Sequence, residues 1–360
     1  MKMTSKERIS AILKHQPTDR IGIHEHFWGE ADRRWLAQGH LKPGEYLGDH
    51  FGFDFDMGGW PRFVADLDFK NVVIEEKEDS VLMLDGNGAT MRHAKGHAGT
   101  PEHVDFAVKD RDAWEKLIRP KLVGFDPRRV DRFGYGGARN HAAQRQSFFV
   151  CSGVNVFELL HPICGHEHML AGMALDPEWI ADMCTVYSDM IITYWEYLFK
   201  NEGLPDGIWF YEDMGFKERP FMSPEMYREL IYPAHKKTID WAHNLGLPVV
   251  MHSCGFIEPL LEGMVDAGVD CLQVIEVKAG MDPVRISKKF GKKLALCGGM
   301  DVRPLVRNDL DGVRKELSKI PDLMKGGGGY ILHSDHSIPG ECNYETYRYF
   351  MEEGLRIGTY

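Results

Sequence analysis

The 360-residue chain lacks a basic surplus: 43 lysines and arginines face 54 aspartates and glutamates, for a formal net charge of -11. Such a balance repels phosphate backbones and anionic lipids, and no lysine- or arginine-rich run interrupts it, so nucleic acid is not an expected partner. A long apolar run is missing too. The most apolar stretch, "MIITYWEYLF" (190–199), is too short and too aromatic to span a bilayer, which takes about 20 apolar residues. The opening "MKMTSKERIS" carries no apolar segment behind its basic start, so the expectation is a cytoplasmic protein with no membrane part. Cysteine is sparse and odd in number, seven over the whole chain. That excludes a disulfide framework as the first reading and leaves reduced thiols for metal binding or catalysis. There is no internal repeat and no low-complexity tract. The one glycine run, Gly326 to Gly329, lacks the Lys-Ser/Thr ending of a phosphate loop and reads as a flexible entry into the last strand.

What is present is alternation. Apolar residues at 43% and charged residues at 27% suit a folded domain with a sizeable core. Eight short apolar runs bounded by turn residues fall at 21–27, 51–58, 147–153, 206–213, 247–253, 271–276, 293–299 and 329–334. Helical patterns separate them from residue 147 onward. One such helix has Ser223 as its cap and Pro224 in its first position. This order predicts a single α/β domain over 1–360, a (β/α)8 TIM-type barrel. Residues 61–146 read as an insertion covering the barrel mouth, with an antiparallel hairpin around the Asp-Gly-Asn-Gly turn of "NVVIEEKEDSVLMLDGNGATMRHA".

In an extended chain, residues i and i+2 share a side, so His252 and Cys254 of "VVMHSCGF" can converge while Ser253 faces away. A buried cysteine beside a hydrogen-bonded histidine is the plain structural alternative. Three further groups at predicted strand ends favour a metal: Glu276, Cys297 and His336. Imidazole, thiolate and carboxylate around one centre favour zinc, bound at about 2.0 to 2.3 Å. The same face of a barrel gathers other candidates. His24, Tyr211 and Glu212 are the expected acid–base groups. His26, Trp28, Asn155 and Asp213 are expected to contact substrate, and Phe27, Trp28, Trp60 and Trp209 are candidates for an aromatic wall.

The succession "YEDMG", "SPEMYRELIYPAHKKTIDWAHNLGLPVVMHSCG", "VDCLQVIEVKAGMD", "GGMDVRPL" and "GGYILHSDHSIPGECNYETYRYFME" resembles the uroporphyrinogen decarboxylase superfamily from residue 206 onward. The opening "SKERISAILKHQPTDRIGI" resembles it more faintly. Within that superfamily the chain is more similar to the corrinoid-dependent methyltransferases than to the decarboxylases, whose arginine-containing N-terminal segment is replaced here by "HEHFWGEADRRWL". The resemblance implies zinc held by the His252–Cys254 pair and a third ligand at the end of the last strand. That place is a cysteine in relatives and falls at His336 here. It also implies that Glu276 can approach the same metal, and that demethylating members draw a ligand from the strand carrying Cys297. A neutral histidine in place of a thiolate leaves the metal a stronger Lewis acid. The implied activity is therefore transfer of a methyl group from a small methylated donor, such as an aryl methyl ether, to the Co(I) corrinoid (cobalamin) of a partner protein. A thiol (coenzyme M-type) methyltransferase, a decarboxylase and a non-catalytic corrinoid- or metabolite-binding barrel are the alternatives. A homodimer is compatible with any of them.

Overall fold

The computed structural model describes residues 2–96, 100–325 and 329–360, so Gly326, Gly327 and Gly328 of the glycine run lie outside the described residues. Eight parallel strands form at the eight apolar runs: β1 Gly22–Ile23, β2 Phe55–Gly58, β3 Phe148–Val154, β4 Gly207–Tyr211, β5 Val249–Ser253, β6 Cys271–Val274, β7 Ala295–Gly298 and β8 Tyr330–Leu332. They neighbour one another in chain order from β2 to β8, and β1 lies beside β8. The remaining seam, between β1 and β2, is closed by the Asp54 amide donating to the Ile23 carbonyl at 2.9 Å. On the same seam the Asp54 carboxylate accepts the Ile23 amide at 2.8 Å and pairs with Arg8 at 2.7 Å and Arg20 at 2.8 Å. The expected (β/α)8 barrel is the fold.

Inward side chains of the strands, among them Phe55, Val150, Trp209, Val250, Cys297 and Ile331, form an apolar column. Its N-terminal end is plugged by Ile9, Ile12 and Leu13 of α1 (Ser5–Leu13), which starts in a Thr4–Glu7 capping box. Outward side chains pack under the helices in a second, larger core. With both faces buried, the strands read as unbroken apolar runs rather than alternating ones. Helix α2 (His161–Leu175) follows β3. After β4, Ser223 accepts the Met226 amide at 3.2 Å with Pro224 in the first turn, as the sequence predicts. A wide π turn at Tyr227–Ile231 precedes α3 (Tyr232–Asn244). Pro233 near its start has no N–H for the ordinary helical ladder, which accounts for the wider turn.

The 61–146 excursion holds more than the hairpin expected. Strands at Val72–Glu76, Ser80–Leu84, Ala89–Ala94 and Glu102–Phe106 pair antiparallel in that order. The tight turn lies where the sequence puts it, the Asp85 carboxylate accepting the Asn87 and Ala89 amides at 2.9 and 3.0 Å. The fourth strand, "EHVDF", is too polar and short to stand out in the sequence. This sheet leans on α2. Among the described residues no helix is long and apolar enough to cross a membrane.

Candidate metal centre

The ends of β4 and β5 set the centre. Their register pairs Tyr211 with His252, so the next residues on the same side, Asp213 and Cys254, also meet. The Cys254 amide donates to Asp213 Oδ1 at 2.8 Å. The same carboxylate oxygen lies 3.2 Å from His252 Nε2, and Cys254 Sγ lies 3.4 Å from that nitrogen. One ligand atom from each of Asp213, His252 and Cys254 falls within 4.8 Å of the others. Ser253 turns away, its hydroxyl accepting the Met214 amide at 3.0 Å. Two glycines let the loops approach: a Cβ on Gly215 would stand 2.4 Å from the Cys254 carbonyl oxygen, and Gly255 adopts φ +77°.

A hydrogen-bonded ring of side chains orients the centre. His252 Nδ1 donates to Gln273 Oε1, which leaves Nε2 toward Asp213 and Cys254. The Gln273 amide nitrogen donates to His333 Nε2 at 3.3 Å. His333 Nδ1 donates to the Ser334 carbonyl at 2.6 Å and lies 3.2 Å from Glu25. His26 Nδ1 donates to His333 Nε2 at 2.9 Å, and the Tyr211 hydroxyl donates to His26 Nε2 at 2.9 Å. These tautomers are assigned by requiring every bond to have one donor and one acceptor. Burial, helped by neighbouring histidines, holds His26 well below the ordinary range, and burial lowers His333 to about 3. Both rings are thus neutral, as the assignment requires. Burial pushes the Tyr211 hydroxyl up to about 12. At His252 burial again opposes charge, yet the adjacent Cys254 and Asp213 raise its pKa well above the ordinary value. A proton on Nε2 there stands in the place a cation would take.

Imidazole nitrogen, sulfur and carboxylate oxygen directed at one point are a donor set for zinc, and three protein ligands leave a fourth position for substrate. Asp213, expected at the substrate, thus joins His252 and Cys254. Three expected ligands stand apart from them. Glu276 accepts the Gly255 amide at 2.6 Å and meets Lys278 at 3.1 Å, so it braces the loop after β5. Cys297 is fully buried in the apolar column, where burial raises its thiol well above the ordinary range. His336 bonds the Ser337 carbonyl at 3.1 Å and faces Trp28, ring centroids 6.3 Å apart.

The remaining candidates divide in the same way. Tyr211 and His26 belong to the ring of side chains. His24 is buried against His26 and Trp209, and among the described residues neither of its ring nitrogens has a hydrogen-bond partner. Glu212 points outward, away from the centre. Its carboxylate accepts the Phe157 and Glu158 amides at 2.8 and 3.1 Å and takes a 2.5 Å bond from His235, so it latches the loop after β3 to α3. Asn155 accepts the Val156 amide at 2.9 Å and donates to Thr238 at 3.3 Å, also away from the mouth. Of the expected aromatic wall, Trp60 sets its ring 5.3 Å from Tyr211, whereas Phe27 packs on Trp35 and Tyr347 and Trp209 fills the column. The sequence reading did not find Gln273, His333 or Glu25. The available signal was a polar residue inside each apolar run: "CLQVIE", "GYILHS" and "IGIHEHF". A cavity of about 930 Å³ lies at the opposite end of the barrel beside Lys6, Arg139 and Asp206, remote from these groups.

The fold and the cluster at its strand ends define an α/β-barrel protein with a metal-capable centre at the C-terminal mouth. The sequence pattern of the uroporphyrinogen decarboxylase (URO-D) family matches residues 156–354, more than half of the chain, and the chain belongs to that family. Among solved structures, a methyltransferase from Methanosarcina mazei shares the fold over 99% of both chains, with 15% identity and a TM-score of 0.68. A Xaa-Pro dipeptidase with bound methionine aligns over 63% of this chain and 60% of its own at 13% identity, with a TM-score of only 0.30. No curated protein matches the sequence significantly.

Proposed function

We propose that the protein is a zinc-dependent methyltransferase that takes a methyl group from a small methylated donor and passes it to the reduced corrinoid of a partner protein. The observation that carries the reading is the convergence of Asp213, His252 and Cys254 at the barrel mouth, with Gln273 fixing the imidazole that faces the centre. Zinc held by these three would polarise the leaving atom of the donor as a Lewis acid. The third donor is an oxygen of Asp213 in place of the expected His336. The set still contains a single thiolate, and that favours leaving-group activation over activation of a thiol acceptor. The single Tyr211 proton bonds His26 here, and turning it from His26 toward the substrate would let it donate a hydrogen bond to a departing oxygen. Trp60 offers an aromatic face beside it for an aryl or methyl group. The segment 61–146 would roof this mouth. The shared fold with a protein named a methyltransferase supports the reading. Decarboxylation of a substrate rich in carboxylates is disfavoured, because among the described residues the hydrogen-bond partners of Asp213, His252, Cys254, Gln273, His333, His26 and Tyr211 include no arginine or lysine.

The test mixes zinc-loaded protein with a reduced corrinoid protein and a panel of methoxylated aromatics, methylamines and betaines, following corrinoid methylation by absorbance. Methylation with one donor class, abolished by chelation and by Cys254→Ser, is the expected result. Efficient transfer from methylcobalamin to a thiol with every donor inactive would overturn the direction. Zinc binding with no turnover in either direction would leave a binding barrel.

A further inference from the structure

The sequence "HPICGHEH" places His161 and His166 five residues apart. On an unbroken helix that spacing sets side chains well apart around the axis. Here Gly165 interrupts α2 with φ +70° and ψ 160°. The Phe106 ring of the antiparallel sheet occupies the space a Cβ would need, 2.5 Å away. The interruption brings the His161 and His166 rings to 4.4 Å, nearly parallel at 11°. His103, from the fourth strand of the sheet, stacks on both, with centroids 5.2 Å from His166 and 5.4 Å from His161. One ring nitrogen from each lies within 4.8 Å of the others.

A second observation points to a ligand. His161 Nε2 meets the Glu158 carboxylate at 3.1 Å, while its buried Nδ1 has no hydrogen-bond partner among the described residues. A carboxylate on one nitrogen and an unused electron pair on the other is how proteins orient a metal-bound histidine. Burial lowers His166 to about 4, with His161 and His103 adding to the effect, and burial also lowers His103. An ion with nitrogen ligands at about 2.1 Å holds them roughly 3.4 Å apart, so binding would turn the three rings from stacking on one another toward a common point. A cavity of about 400 Å³ beside His103 and His166 gives a route in.

We propose that His103, His161 and His166 form a second, nitrogen-only site for a divalent transition metal such as zinc or cobalt, pinning the antiparallel sheet of residues 61–146 to α2. Its donors and position are separate from the centre at Asp213, His252 and Cys254, so it stands or falls independently of the proposed activity.

The test titrates Co²⁺ into tag-free Cys254→Ser protein, which has no thiolate at the barrel mouth. The expected result is one tightly held cobalt whose spectrum lacks thiolate-to-metal charge transfer, lost on adding His103→Ala. Glu158→Gln should weaken it by about 10- to 100-fold. Metal should also slow proteolysis within residues 61–146, and that protection should vanish with His103→Ala. His103→Gln, a milder change at the sheet surface, guards against a folding defect. Unaltered cobalt affinity in both His103 variants, or no nitrogen-only cobalt signal in Cys254→Ser protein at millimolar metal, would overturn the site.

Discussion

At the N-terminal end of the barrel, Asp54 meets two guanidinium groups and a backbone amide, and α1 seals the column with three aliphatic side chains. At the C-terminal end, Asp213, His252 and Cys254 crowd around one point, and among the described residues His24 has no hydrogen-bond partner at either ring nitrogen. Both ends contain buried polar groups, so polarity alone does not mark the functional one. What separates them is completion. The first end satisfies its charges within the chain, whereas the second gathers three potential ligand atoms at one point.

The sharpest way to break this contrast is at the sealed end. Asp54→Ala strands Arg8 and Arg20 and opens the β1–β2 seam. It should cost about 3 to 5 kcal/mol, read by denaturant unfolding, with metal affinity per folded molecule preserved. A cost below about 1 kcal/mol would place the pair among ordinary surface bridges. At the open end the pattern should reverse. Cys254→Ser should lower zinc affinity by more than about 100-fold, beyond the effect of losing an outer-shell partner, while the metal-free protein melts as before. His336→Ala should shift that affinity by no more than about twofold. An equal loss from His336→Ala, measured by competition with a chelator, would return His336 to the ligand set.

Gln273→Leu tests the supporting ring and should weaken zinc binding by about 10- to 100-fold. No change would mean that packing alone orients His252. A separate effect is expected from pH. Burial raises the Glu25 carboxyl to about 8, and the bonds it accepts from Ser334 and His26 oppose the rise. Between the ordinary carboxyl value and about 8 the folded state binds the extra proton, so stability should fall as pH rises through that window. Melting curves across pH should show the fall in the wild type and lose it in Glu25→Gln.

The eight strands and the Ser223 cap were legible because each has a local signature: an apolar run, or a serine before a proline. The Asp-Gly-Asn-Gly turn was legible for the same reason, but the fourth strand of that sheet was not, since "EHVDF" is short and three of its five residues are polar. At the site, the His252–Cys254 pair was readable from its own spacing, because period two in an extended chain fixes a shared side. Asp213 as their companion was not, since it depends on the register between β4 and β5. Glu212 and Cys297 show the same limit. In strands buried on both faces, inward and outward residues are equally apolar, so a carboxylate or thiol at a strand end gives no sign of which way it turns.

One consequence of the Gln273 amide lies in its asymmetry. Its oxygen accepts from His252 and its nitrogen gives to His333, so the two imidazoles must present opposite faces of their chemistry to it. The amide acts as an inverter: whichever form one ring takes at that contact, the other takes the complement. A glutamate there would read both rings as donors and let them be alike. The glutamine head group thus ties the hydrogen-bonding form of His333 at that contact to that of His252.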